Sequence, residues 1–145
     1  MMSKSRINRY LPIAYEAVKN SELIKDNKLQ GNYQAQIASF GAAVSMGSLL
    51  SAIAFFSDKG SSNVKRQELM KLICYIIEKD KNSEKEYQEI KKYSLFECVQ
   101  KNKIENNNEN IKQKILDAAI AIKLTLNLFE EDPSKNKTPK NEGND

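Results

Sequence analysis

Tyr33 to Ser57, YQAQIASFGAAVSMGSLLSAIAFFS, holds no charged residue in a chain of 145 residues of which 29% are charged. Read at helical spacing, Ala43, Met46, Leu50 and Ile53 form one apolar ridge. Ala38, Gly41, Ser45, Ser48 and Ala52 follow at i, i+3, i+7, i+10 and i+14 on another face. One side is bulky and the other nearly bare, and small side chains let a neighbouring backbone approach closely. The stretch therefore predicts one long helix in the middle of a helical bundle, touching partners all round. Gly41 and Gly47 each weaken it by about 1 kcal/mol against alanine, so packing has to hold it together. At about 1.5 Å per residue it would span roughly 37 Å, enough to cross a bilayer. Gln34, Gln36, Ser39, Ser45, Ser48 and Ser51 dilute it, however, and a buried helix of a soluble protein is the better reading.

On the N-terminal side, Ile7, Leu11, Ala14, Tyr15 and Val18 keep helical spacing from Ser3 to about Ile24, straight across Pro12, which predicts a first helix kinked at the proline. Lys4, Arg6 and Arg9 flank the bend, three basic groups within six residues near a free end, as a phosphate backbone would require; a solvated terminus is the alternative. KDNKLQG, 25–31, reads as a polar turn, with Asn32 placed to cap the uncharged helix. On its other side Asp58 to Ser62 is a turn whose Gly60 suits a left-handed helix end. Ser61, Ser62 or Asn63 caps a third helix carrying Leu69, Leu72, Ile73, Ile76 and Ile77 at i, i+3, i+4, i+7, i+8. Lys59, Lys65 and Arg66 gather at this turn, where loose N–H groups and the helix dipole would favour a phosphate; a solvated helix start is the alternative. Gly60 stands alone there, so the turn is no P-loop.

From Asp80 the texture becomes rich in Lys, Asn and Glu. Ser83 with Glu86, and Ser94 with Glu97, fit capping boxes of one or two short helices. KNKIENNNEN, 101–110, reads as a mobile loop. A last helix from about Asn108 to Phe129 puts Ile111, Ile115, Ala118, Ala119, Ile122, Leu126 and Phe129 on one face, widened by Ile120, Leu124 and Leu128. After Glu130 nothing apolar anchors the chain. The organisation predicted is one all-α domain, a compact bundle of five to six helices over 1–130, with a disordered tail over 131–145.

The formal net charge is +4 and is unevenly placed: 11 basic residues face 7 acidic ones through Asp80, and 12 face 12 thereafter. Such an excess favours an anionic partner but is mild. There is no histidine, so the commonest metal ligand and general base is missing. Cys74 and Cys98 stand in no metal-ligand spacing and lie in helix stripes, where they read as small hydrophobes. Glu16, Glu68 and Glu97 sit beside lysines in surface-type surroundings. No catalytic residue, metal or cofactor is expected, and the N-terminus MMSKSR lacks the apolar run of a signal peptide, which fits a reducing cytoplasm.

The run IASFGAAVSMGSLLSAIAFFSDKGSS, 37–62, followed by VKRQELMKLICYII, 64–77, resembles the Cmr5 family, the small subunits of type III-B CRISPR effector complexes. The features that carry it are their order: a basic N-terminal segment with Leu11-Pro12, a small-residue helix, L-L-x-x-I-A-F-F-S, a Ser-rich turn and a basic helix start, over about Lys4 to Lys79. The resemblance implies a non-catalytic cytoplasmic subunit of an antiviral ribonucleoprotein. Copies stack head to tail beside the other Cmr subunits and help hold the duplex of guide crRNA and target RNA without cutting it. It implies RNA-phosphate contacts from Lys4, Arg6, Arg9, Lys59, Lys65 and Arg66, with Lys71 added. Lys123 stands where family members often carry a Trp-Leu-Lys-Arg-like run; Ala-Ile-Lys-Leu-Thr here departs from it. The residues by themselves also allow a helical adaptor that binds only other proteins.

Overall fold

The computed structural model describes residues 4–57, 66–84, 86, 94–106 and 111–132. Six helices occupy most of them: α1 (Lys4–Lys19), α2 (Tyr33–Met46), α3 (Leu49–Phe56), α4 (Arg66–Lys81), α5 (Leu95–Asn106) and α6 (Ile111–Leu126). The expected all-α bundle is what forms. α4 touches all five other helices, and α1 packs most extensively on α6. Arg6 meets Asp117 and Tyr15 meets Phe129, so α1 and α6 run parallel. Arg9 meets Asp80 while the Glu16 charge reaches Tyr75, so α4 runs antiparallel to α1, and Gln34 at the start of α2 meets Asn127 just beyond the end of α6, as in an antiparallel pair.

The uncharged stretch forms two helices where one was expected. Gly47 ends α2, its N–H donating to the Ala43 carbonyl at 3.0 Å, and Ser48 starts α3, its Oγ accepting from the Ser51 N–H at 3.3 Å. A Cβ on residue 47 would stand 3.1 Å from that carbonyl, closer than a side chain sits comfortably. The break resets the buried stripe. α2 buries Tyr33, Ile37, Phe40 and Val44, and α3 buries Ala52, Ile53 and Phe56, while Met46 of the expected ridge is 84% exposed. The small-residue face is not covered all round: Ala38, Ala42 and Ser45 are exposed, and with Leu116 and Ile120 of α6 they line an open groove of about 430 Å³.

Gly41 lies in that groove, and a Cβ added to it would meet nothing within 4 Å. Mid-helix glycine is less favourable than alanine by about 0.8–1.0 kcal/mol, and here nothing in the chain requires it. Gly41→Ala is therefore expected to stabilise the fold by about that amount in urea unfolding. A loss of stability would mean that the groove is closed in solution.

α1 runs through Pro12 and ends at Lys19, short of the expected Ile24. The chain then turns on Ser21, which is buried and donates to the Val18 carbonyl at 2.7 Å while accepting from the Leu23 N–H. The polar turn that follows is a tight hairpin, β1 (Ile24–Lys25) paired antiparallel with β2 (Lys28–Leu29). Asp26 and Asn27, at φ 55° and 63°, supply the two positive φ values of a type I′ turn. β3 (Glu130–Glu131) adds in parallel to β2, and the Asp132 N–H donates to the Leu29 carbonyl. The expected boundary after Glu130 thus falls inside a strand; 133–145 lie outside the described residues. Asn32 precedes α2 but makes no side-chain capping bond.

The α4 stripe is buried as expected, with Met70, Cys74 and Glu78 added. Ser94 and Glu97 form the reciprocal capping box at the start of α5, at 2.8 and 3.1 Å. α5 continues to Asn106, through the first half of the run read as a loop; 107–110 lie outside the described residues, as do 87–93, the stretch that the Ser83–Glu86 box would open. α6 ends at Leu126, short of the expected Phe129, and buries the expected face, plus Asp117 and Thr125; the expected start near Asn108 lies outside the described residues.

Candidate nucleic-acid interface

The start of α1, the end of α4 and the start of α6 meet at one end of the bundle. Arg6 Nη1 donates to Asp117 Oδ2 at 2.7 Å, and Gln113 Nε2 donates to the other carboxylate oxygen at 3.2 Å. Arg9 makes a two-pronged pair with Asp80, Nε to Oδ1 at 3.1 Å and Nη2 to Oδ2 at 3.0 Å. The hydrogen bond and then the charge of Asp80 push the Arg9 guanidinium above its already high range, so it stays cationic. Tyr10 is buried between them, and burial first, then the Asp80 charge, hold its phenol neutral well above the usual tyrosine range. Lys81 pairs with the buried Glu78 at 3.4 Å, which Lys101 approaches at 3.9 Å.

Lys114, one turn before Asp117, completes the cluster. Burial lowers its pKa first, and the Arg6 and Lys81 charges lower it further. Among the described residues no carboxylate forms an ion pair with Lys114 or with Lys4, which is exposed. Lys81 and Lys114 were not singled out in the sequence, because they stand 72 or more positions from Arg9 and only the antiparallel docking of α4 and the parallel docking of α6 bring them to it. The one signal available was the helical registers of α4 and α6, with Lys81 closing the first and Lys114 opening the second.

The second expected group is elsewhere. Arg66 opens α4, about 21 Å along its axis from Asp80 at 1.5 Å per residue. Its guanidinium carbon lies 5.3 Å from the centre of the Phe55 ring and 5.4 Å from that of Phe56. Lys71, five residues on, is half-buried and about 140° round the helix from Arg66. Lys59 and Lys65 lie outside the described residues. Lys123 is exposed on α6 at the edge of the open groove.

Chemistry at the cysteines is restrained by burial. Cys74 and Cys98 are free and belong to the core, and the Cys98 thiol donates to Glu78 Oε2 at 3.6 Å. Its pKa is pushed far up, first by the hydrogen bond with Cys74 and then by burial, which leaves no thiolate to act as a nucleophile. Among the described residues no three His, Cys, Asp or Glu side chains are grouped as a metal would need, and no helix is long and apolar enough to cross a membrane.

The family model for the CRISPR-associated Cmr5 proteins matches residues 6–126, most of the chain. Searches of curated proteins and of solved structures returned no significant match.

Proposed function

Because the chain belongs to the Cmr5 family of CRISPR-associated proteins, we propose that it is the non-catalytic small subunit of a type III-B CRISPR ribonucleoprotein. It stacks with copies of itself and with other Cmr subunits, and lies along guide and target RNA through its basic groups. The observation that carries this reading is the basic end of the bundle, where Lys114 feels the charges of Arg6 and Lys81 more than that of Asp80 and has no ion-pair partner among the described residues. An anion placed there relieves like-charge repulsion, and a phosphate is the anion an RNA subunit would meet. An RNA strand following α4 would pass from this end to Arg66, and would have to cross the helix to reach Lys71 on another face. Arg6 and Arg9, already matched by Asp117 and Asp80, chiefly hold α1 in place, and Lys4, Lys114, Arg66 and Lys71, with Lys59 and Lys65, make the phosphate contacts.

Contacts of this kind are salt-sensitive and indifferent to sequence. The test is RNA binding by the full chain across a salt series. Lys4→Glu with Lys114→Glu is expected to weaken binding to every RNA alike and to reduce the slope of log K against log salt by roughly 1.4, two phosphates at about 0.7 each for a single strand. An unchanged slope would remove the basic end from the RNA path. A second reading, an adaptor that binds only proteins, draws on the open groove between α2 and α6 and on Leu124 and Leu128, exposed on and just beyond α6. RNA affinity that ignores both salt and charge reversal would favour it.

A further inference from the structure

We propose that Phe55, with the Arg66 guanidinium against its ring, is a stacking platform for an unpaired base of single-stranded RNA. The inference rests on the RNA-scaffold reading and adds a base contact to a role otherwise made of phosphate contacts. Phe55 is 63% exposed near the end of α3. A single exposed phenylalanine needs no explanation; here it is fixed and it is paired with a cation. The ring stands edge to face on Phe56, with centroids 5.3 Å apart at 72°. Phe56 is buried and stands edge to face on the fully buried Phe40, at 5.4 Å and 73°. An aromatic ladder therefore runs from the core to the surface and ends in a ring that is held in position but left mostly to solvent.

Arg66 is positioned as firmly. Gln67 Nε2 donates to the Ser57 carbonyl at 2.9 Å, tying the first turn of α4 to the end of α3 and so Arg66 to Phe55. Unlike Arg6 and Arg9, Arg66 has no carboxylate partner among the described residues. A nucleotide fits both groups at once: the base offers a flat π face to the phenyl ring and the guanidinium, and its phosphate answers the charge. An aliphatic side chain of a protein partner would cover the ring and leave the cation unmatched. A base inside a duplex has no free face to offer, so the platform selects an unpaired strand.

The experiment compares three labelled ligands of about 16 nucleotides: unstructured single-stranded RNA, an RNA duplex, and an abasic ribose-phosphate strand. Phe55→Ala is expected to weaken single-strand binding on the order of tenfold, with duplex and abasic binding and the salt slope unchanged. Phe55→Trp keeps single-strand affinity. As the chain has no other tryptophan, its emission reports the site directly, quenched by the single strand and not by the abasic one. If the unaltered chain binds all three ligands with steep salt dependence and Phe55→Ala binds them equally well, stacking is overturned and the phosphate reading stands. If the unaltered chain binds none of them, both fall. If Phe55→Ala binds RNA normally but loses a Cmr subunit, the ring belongs to a protein interface and the proposal is overturned.

Discussion

Asp117→Ala is expected to destabilise the chain by about 3–5 kcal/mol, which for a domain of this size lowers the melting temperature by roughly 10 °C. Asp117 is fully buried on α6 and carries a negative charge into the core, where Arg6 meets it at 2.7 Å while remaining one-fifth exposed. Removing the carboxylate takes the 2.7 Å ion pair from a partly desolvated guanidinium and one acceptor from the Gln113 amide. The loss comes from breaking a buried ion pair on one side only rather than from the worth of the pair, so Arg6→Met with Asp117→Leu, which replaces both charges by apolar groups of similar size, should recover most of it. A urea-unfolding cycle over Arg6→Ala, Asp117→Ala and the double variant measures the coupling. Asp117→Ala within about 1 kcal/mol of the unaltered protein would mean that water reaches the pair and that α1 is not docked on α6 as described. The result also bears on RNA: if Arg6 chiefly anchors α1, its loss weakens RNA binding only as far as it weakens the fold, at an unchanged salt slope.

Asp117 shows where the sequence stops being readable. Its helix is legible from Ile111, Ile115, Ala118, Ile122 and Leu126, but an aspartate within that stripe gives no sign of its partner 111 residues away. The same holds for Glu78: its pair with Lys81 is local, three residues on, but its acceptance of the Cys98 thiol and the approach of Lys101 depend on α5 docking on α4. Local features fared better. The α4 stripe and the Ser94–Glu97 box are decided by residues three or four apart, and those are the spacings a sequence displays. The Asp26-Asn27 turn was legible as a turn; the two-residue strands around it were too short to announce themselves. The basic groups were legible one segment at a time. Which cations are matched by carboxylates, and which stand together, follows from helix docking alone.

Ile53→Ala and Met46→Asp should part company: about 3–4 kcal/mol lost at the first and no more than about 0.5 kcal/mol at the second, read by urea unfolding of the full chain. In one unbroken helix Met46 and Ile53 are seven residues apart on the same face and would be buried together, so a carboxylate at residue 46 would cost at least as much as a cavity at 53. Gly47 and Ser48 undo that equivalence, because a helix end followed by a new cap rotates everything after it. Ile53 becomes fully buried and Met46 is left 84% exposed. The pair of glycine and serine was visible in the sequence, a helix stopper followed by a helix starter. The absence of charge on either side argues for burial and says nothing about continuity. The break also aims Phe55 outward: α3 takes its direction from Ser48, and Phe56 turns inward onto Phe40 while its neighbour points to solvent. Equal losses at residues 46 and 53 would restore the continuous rod, and the direction of α3 that exposes the Phe55 ring would go with the break.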